Sequence, residues 1–244
     1  MSALLDIADE LARDLDPLRF GPPVAAVYNP LVYARAGYAA YCDRYGAGDK
    51  EVLLVGMNPG PFGMAQTGVP FGHVASVRDW LGIEVAVGKP PREHPARPVQ
   101  GFACPRAEVS GARLWGWARS RFVQPQSFFA RFFVLNYCPL LFVEESGRNR
   151  TPDKLTPAQR AALFPLCDRA LAAAVSLLRP RFVIGIGRFA AERIEAVRPQ
   201  LGSIEVVSGS IPHPSPANPA ANRDWAGSAE RALGSLGVEL KAQR

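Results

Sequence analysis

The feature that most constrains this chain is a short apolar run that stops abruptly. Glu51–Gly56 (EVLLVG) is followed at once by Met57-Asn58-Pro59-Gly60-Pro61. A run that short predicts a strand buried on both faces and ended by a loop. Phe132–Tyr137 and Arg181–Gly187 (RFVIGIG) read the same way, and Ile204–Val207 reads as a further strand. Helical patterns lie between them. Residues 3–15 put Leu4, Ile7, Ala8 and Leu11 on one face, and the segment after them reads as a loop rich in Pro, Gly and Tyr. Val74–Leu81, an aromatic stretch around Trp115 and Trp117, Arg188–Val197 and Ala220–Leu236 also read as helix. Thr156-Pro157 supplies an N-cap and an N1 proline for a helix to about Leu178, with Pro165 as an expected kink. Buried strands alternating with helices predict an α/β fold, three layers α/β/α around a central, mostly parallel sheet. No repeat or low-complexity linker divides the 244 residues, so one domain is expected over 1–244, its core at about 24–238.

Composition and charge exclude whole classes of function. With 48% hydrophobic and 20% charged residues, the chain is neither disordered nor collagen-like. No apolar run reaches the roughly 18–20 residues of a bilayer span, so no membrane partner is expected. The N-terminus is acidic and lacks the basic and apolar regions of a secretory signal. The expected location is the cytoplasm or nucleoid of a bacterium, or the nucleus of a eukaryote. Cys42, Cys104, Cys138 and Cys167 form no CxxC pair, so no metal motif is visible and buried free thiols are expected. The formal charge is +6, although the first sixteen residues hold five acidic side chains against Arg13 alone. Residues 86–122 hold seven Lys or Arg against two Glu, with five prolines between 90 and 105, and read as a long basic loop entering the aromatic helix. Such an excess favours a polyanionic partner.

In sheets of this kind, ligands sit beyond the carboxyl ends of the strands. The loops holding Asn58, Asn136 and His213 are therefore expected to converge. Gly185-Ile186-Gly187-Arg188-Phe189-Ala190, with Glu205 farther on, matches a dinucleotide fingerprint. Arg188 inside the turn and the late position weaken that match, and a tight strand–helix turn requires glycine for steric reasons alone. A cofactor-dependent oxidoreductase is thus the most distant reading. Gly56–Gly63 lacks the Lys-Ser/Thr pair of a phosphate loop. The apolar, irregular stretch Met64–Gly72 suits the lining of a pocket.

Six segments in order then carry a resemblance: GMNPGPFGMAQTGVPFG at 56–72, VRDWLGI at 77–83, SGAR at 110–113, NYCPLLF at 136–142, SGRN at 146–149 and HPSPANP at 213–219. They closely resemble the single-strand-selective monofunctional branch of the uracil-DNA glycosylase superfamily, from about Tyr28 to Val238. The resemblance implies cleavage of the bond between uracil and deoxyribose in DNA, an abasic product, no lyase step, no cofactor, no metal and a monomeric enzyme. It implies a substrate pocket built from Met57, Gly60, Phe62, Gly63, Phe71 and Asn136, in which Phe71 stacks on a flipped pyrimidine. Asn136 reads the base, its NH₂ donating to O4 and its carbonyl accepting from N3–H. Cytosine presents the opposite pattern and leaves two buried groups unpaired, about 1–3 kcal/mol each. Superfamily members that exclude thymine place a tyrosine where Gly60 stands, so the side of the pocket facing C5 is expected to be open here. Uracil and 5-hydroxymethyluracil are the implied substrates, with thymine rejected because its methyl displaces a water without replacing its hydrogen bonds.

Asn58 and His213 match the two catalytic positions. An amide cannot abstract a proton, so Asn58 implies a dissociative route in which it positions the water and His213 donates to O2 of the departing anion. Ser146, Gly147, Arg148, Asn149, Arg150, Ser215, Ala217 and Asn218 are the implied DNA contacts. Relatives carry Arg, inserted into the base stack, where this chain has Ala217, which puts wedge function or duplex affinity in question. Two alternatives stand beside this reading. One is a sibling glycosylase preferring deaminated purines such as xanthine, because Gly60 and Gly63 leave room. The other is a lesion-binding protein without catalysis.

Overall fold

The computed structural model describes residues 2–240. Its elements in chain order are α1 (Ala3–Leu15), β1 (Val24–Tyr28), α2 (Pro30–Tyr33), α3 (Arg35–Tyr45), β2 (Val52–Gly56), α4 (Met64–Thr67) and α5 (Val74–Asp79). Then come α6 (Val109–Phe122), α7 (Pro125–Phe129), β3 (Phe132–Asn136), β4 (Leu141–Glu144) and β5 (Asn149–Arg150). The last are α8 (Pro157–Leu178), β6 (Phe182–Ile186), α9 (Arg188–Val197), β7 (Val207–Ile211) and α10 (Pro219–Ser235). A four-stranded sheet of order β3-β2-β6-β7, parallel throughout, is flanked by helices. Strands β2 and β6 are buried at every position, as unbroken apolar runs require.

Register decides where the site lies. Gly56 pairs with Asn136, Val55 with Gly185 and Ile186 with Ile211. The carboxyl ends of all four strands therefore share one edge. Asn58 lies two residues past β2, His213 two residues past β7, and Asn136 closes β3.

Three segments depart from the sequence reading. The segment read as a loop after α1 contains β1, α2 and α3. Strand β1 is too short and half-buried to stand out, and α3 buries itself through Tyr38, Tyr41 and Tyr45 rather than aliphatic residues. Strand β7 begins at Val207 instead of spanning Ile204–Val207, and it takes in Ser208, Gly209 and Ser210. It is an edge strand, largely open to solvent, so the sheet accepts polar residues there by register alone. Residues 141–150 form the β4–β5 hairpin, which joins β1 in a second, antiparallel sheet.

Helix α8 carries the expected cap as a full capping box: Thr156 accepts from the Gln159 backbone N–H while its own N–H donates to the Gln159 side chain. The helix is continuous through Pro165. Contrary to the sequence expectation, it is long and apolar enough by length and composition to cross a membrane. Asp168 and Arg169 interrupt the run, so no unbroken apolar stretch of that length is present in it. In the fold its buried face, including Leu163, Cys167, Leu171 and Val175, packs into the core. Helix α1 docks its own apolar face, Leu4, Leu5, Ala8, Leu11, Ala12 and Leu15. Its acidic side is matched by arginines: Asp9 pairs with Arg35 at 2.6 Å, and Asp14 pairs with Arg169. The acidic start of the chain is thus one half of a set of ion pairs with α3 and α8. All four cysteines are free and buried.

Candidate active site

A cavity of about 330 Å³ opens at the shared carboxyl edge and brings Asn58, Asn136 and His213 together, with Phe71 and Ser215 beside them. That size suits a small planar ligand.

Each functional side chain is held by backbone. Phe71 has φ of 53°, a conformation that costs a bulky residue about 1–3 kcal/mol and persists only when its surroundings enforce it. They do so here: the Phe71 carbonyl accepts from the Trp115 indole at 3.0 Å and from the His73 N–H at 2.7 Å. The ring lies against Gly56, where a Cβ would come 2.6 Å from Cε2, and stands 6.3 Å from the His213 ring. Asn58 is anchored by its Nδ2, which donates to the Leu140 carbonyl at 3.2 Å. Its carbonyl oxygen accepts no hydrogen bond from the described residues. Asn136 rests its Nδ2 on the Met64 sulfur at 3.3 Å. A thioether is a weak acceptor, so the amide keeps its hydrogen-bonding capacity for a ligand.

The geometry at His213 fixes its protonation. The Ser215 N–H donates to Nδ1 at 3.1 Å, so that nitrogen is an acceptor and the proton sits on Nε2. Burial pushes the imidazole pKa below its usual 6.5. The ring is therefore neutral at pH 7 and offers one N–H. Its loop is pinned from three sides. Asn218 Nδ2 donates to the His213 carbonyl at 3.2 Å, Trp225 donates to the Pro212 carbonyl at 2.7 Å, and Arg113 donates to the Pro214 carbonyl at 2.9 Å.

One pocket residue is a carboxylic acid. Glu108, at the N-terminus of α6, lines the cavity beside Gly60 and Gly63. A Cβ at Gly63 would lie 2.9 Å from Glu108 Cγ, and one at Gly60 would collide with Oε2. Burial pushes this carboxyl above the ordinary glutamate value, and the Ser110 backbone N–H works the other way.

Comparison with known proteins bears directly on this arrangement. Residues 43–232 match the sequence model of the Uracil DNA glycosylase superfamily. The single-strand selective monofunctional uracil-DNA glycosylase of Rattus norvegicus is 51% identical over 228 residues, covering 93% of this chain and 82% of that protein. Its counterpart in Bos taurus is 50% identical, covering 93% and 84%. This chain belongs to the uracil-DNA glycosylase superfamily. Among solved structures, wild-type SMUG2 of Pedobacter heparinus aligns with a TM-score of 0.68 at 17% identity, over 95% of this chain and 97% of that one, which speaks to the fold.

Within this member of the superfamily, the expected residues divide. Met57, Asn58, Gly60, Gly63, Phe71, Asn136, Asn149, His213 and Ser215 meet in the cavity. Phe62 does not line it. The turn at 61–63 directs the ring to Arg106, 4.4 Å from its centroid, and Arg97, at 5.3 Å. Of the expected DNA contacts, Arg150 is held by Glu144 at 2.9 Å within the hairpin, and Asn218 supports the histidine loop. Ser146, Arg148 and Ala217 are exposed, whereas Gly147 is buried in the hairpin turn. Asn149 Oδ1 is a buried acceptor with no partner among the described residues, and Thr151 joins it in the lining.

Beside Gly60 and Gly63, where the sequence predicts an opening, the Glu108 side chain packs against both glycines. Glu108 is the residue the sequence reading missed. Its only signal was an acidic side chain just before SGAR in an otherwise basic segment. The glycine turn at 185–187 is structural: a Cβ at Gly185 would come 2.8 Å from Ala191 Cα, and Gly187, at φ of 91°, lets the backbone pass His213. Beneath the pocket, Tyr137 donates to Asp168 at 2.7 Å and accepts from Arg193, which also pairs with Asp168.

Proposed function

We propose that this chain is a monofunctional uracil-DNA glycosylase, hydrolysing the N-glycosidic bond of uracil and 5-hydroxymethyluracil in single- and double-stranded DNA and leaving an abasic site. The observation that carries the reading is the neutral His213 with its single N–H at Nε2, in one cavity with the Asn136 amide and the Phe71 ring. The names of the close relatives support the same activity.

The chemistry follows from these groups. A flipped uracil stacks on Phe71 and satisfies the Asn136 amide through O4 and N3–H. As the C1′–N1 bond lengthens, negative charge gathers on the base, and the Nε2–H of His213 donates to O2. A fixed donor of this kind is worth about 2.7–4 kcal/mol. The sugar becomes electrophilic, and the carbonyl oxygen of Asn58 holds the water that captures it. Because an amide cannot take the proton before bond breaking, the rate depends on the departure of the base. Outside the pocket, the exposed Arg106 and Arg148 suit phosphate contacts. Affinity for DNA should therefore fall as salt rises. The enzyme acts as a monomer.

The test is direct. A labelled oligonucleotide with one uracil is incubated with the protein in chelator, then treated with alkali. A break at the uracil only after alkali supports the reading. No break, or a break without alkali, refutes it.

A further inference from the structure

The pocket places one carboxyl where a neutral base has no evident use for it. Among its lining residues only His213 and Glu108 carry a basic or acidic side chain, and His213 is accounted for as a donor. Uracil offers a single ring donor, N3–H, which Asn136 takes. An acidic side chain against Gly60 and Gly63 therefore has nothing on unsubstituted uracil to accept from. Its placement is nonetheless built in: two glycines of the same loop leave just the volume that the Glu108 carboxyl and Cγ fill, and a side chain at either one would displace it. The Glu108 backbone is fixed as the N-cap of α6, a helix of fourteen residues, which ties the carboxyl to a rigid element.

Resting on the uracil reading above, we propose that Glu108 is the specificity-determining residue for the C5 side of the pyrimidine. It accepts a hydrogen bond from a hydroxyl-bearing C5 substituent and disfavours a methyl, which would desolvate the carboxyl and return no bond. Two properties of the site support this assignment. A buried acceptor left facing a methyl loses its hydration without compensation. A site built to hydrogen-bond a hydroxyl discriminates strongly against the analogue that lacks it.

The test compares kcat/KM on three oligonucleotides that differ only in the target base, carrying uracil, 5-hydroxymethyluracil or thymine. Wild type is set against Glu108→Gln, which keeps an acceptor, and Glu108→Leu, which does not. Ratios between substrates cancel differences in the active fraction of each preparation, and thermal melting reports folding separately. In Glu108→Leu, the ratio of 5-hydroxymethyluracil to uracil should fall about 10- to 100-fold, the worth of one hydrogen bond to a charged acceptor, and the ratio of thymine to uracil should rise. Glu108→Gln should stay within about threefold of wild type on the first ratio. Equal losses on uracil and 5-hydroxymethyluracil in Glu108→Leu would overturn the proposal, as would an unchanged ratio or a wild type that cleaves uracil but not 5-hydroxymethyluracil. Failure of wild type on uracil itself would instead defeat the function on which this proposal rests.

Discussion

Replacing His213 with asparagine isolates the donor from the loop that carries it. In the structure the imidazole does two jobs. Nδ1 accepts from the Ser215 N–H at 3.1 Å and so closes a turn, and Nε2 presents the proton. An asparagine oxygen reaches the Nδ1 position and closes the same turn, as Asx side chains do with an N–H two residues on. Nothing in asparagine reaches the Nε2 position. The turn, worth about 1–3 kcal/mol if its buried N–H were orphaned, is kept. The donor, worth about 2.7–4 kcal/mol in the transition state, is lost. Single-turnover excision of uracil should slow about 10²- to 10³-fold while the Kd for a substrate analogue changes little. A loss below tenfold, or a loss shared equally between rate and Kd, would refute the donor assignment.

The pH dependence of stability provides an independent check. The folded pKa of His213 lies below its unfolded value of 6.5. Its neutral form is thus preferred in the folded state, and that contribution to stability holds above pH 6.5 and is lost as pH falls toward the lowered pKa. Glu108 has a raised folded pKa and acts with the opposite sign, since its contribution is lost as pH rises. The difference between wild type and His213→Asn in urea melts cancels Glu108, and wild type should lose stability relative to the variant as pH drops below 6.5.

Further predictions concern base reading, scaffold and duplex binding. Asn136→Asp should narrow the preference for uracil over cytosine by up to about 2–6 kcal/mol, read from competing excision on paired oligonucleotides; unchanged selectivity would dismiss the base-reading role. Asp168→Ala leaves the Arg193 guanidinium and the Tyr137 hydroxyl without their shared acceptor and should cost about 3–5 kcal/mol in urea unfolding. Ala217→Arg should tighten duplex binding roughly tenfold, the worth of one charge-assisted contact of about 1.5 kcal/mol, and tighten single-strand binding less. Equal gains on both strands would count against a missing wedge.

The residues of this chain determine by themselves whatever depends on local pattern. Unbroken apolar runs at 52–56 and 182–186 call for burial on both faces, and their alternation with helical patterns points to a parallel sheet between helices. Thr156, Pro157 and Gln159 set the start of α8 within one turn of chain. The meeting of Asn58 and His213 in one cavity was legible because both follow strands whose ends must share an edge. What tertiary structure decided is everything that depends on partners distant in sequence. Strand β7 has a polar sequence and exists because Ile186 and its neighbours offer it a register. Tyrosines make α3 a core helix only because Val134 and Phe133 lie beneath them. Arg150 looked like a free cation until the hairpin set Glu144 beside it. Glu108 is the sharpest case. The SGAR segment two residues on marks the neighbourhood but not the acid, and the space Glu108 fills belongs to glycines more than forty positions earlier. An acid's role depends on what surrounds its carboxyl, and folding supplies those surroundings.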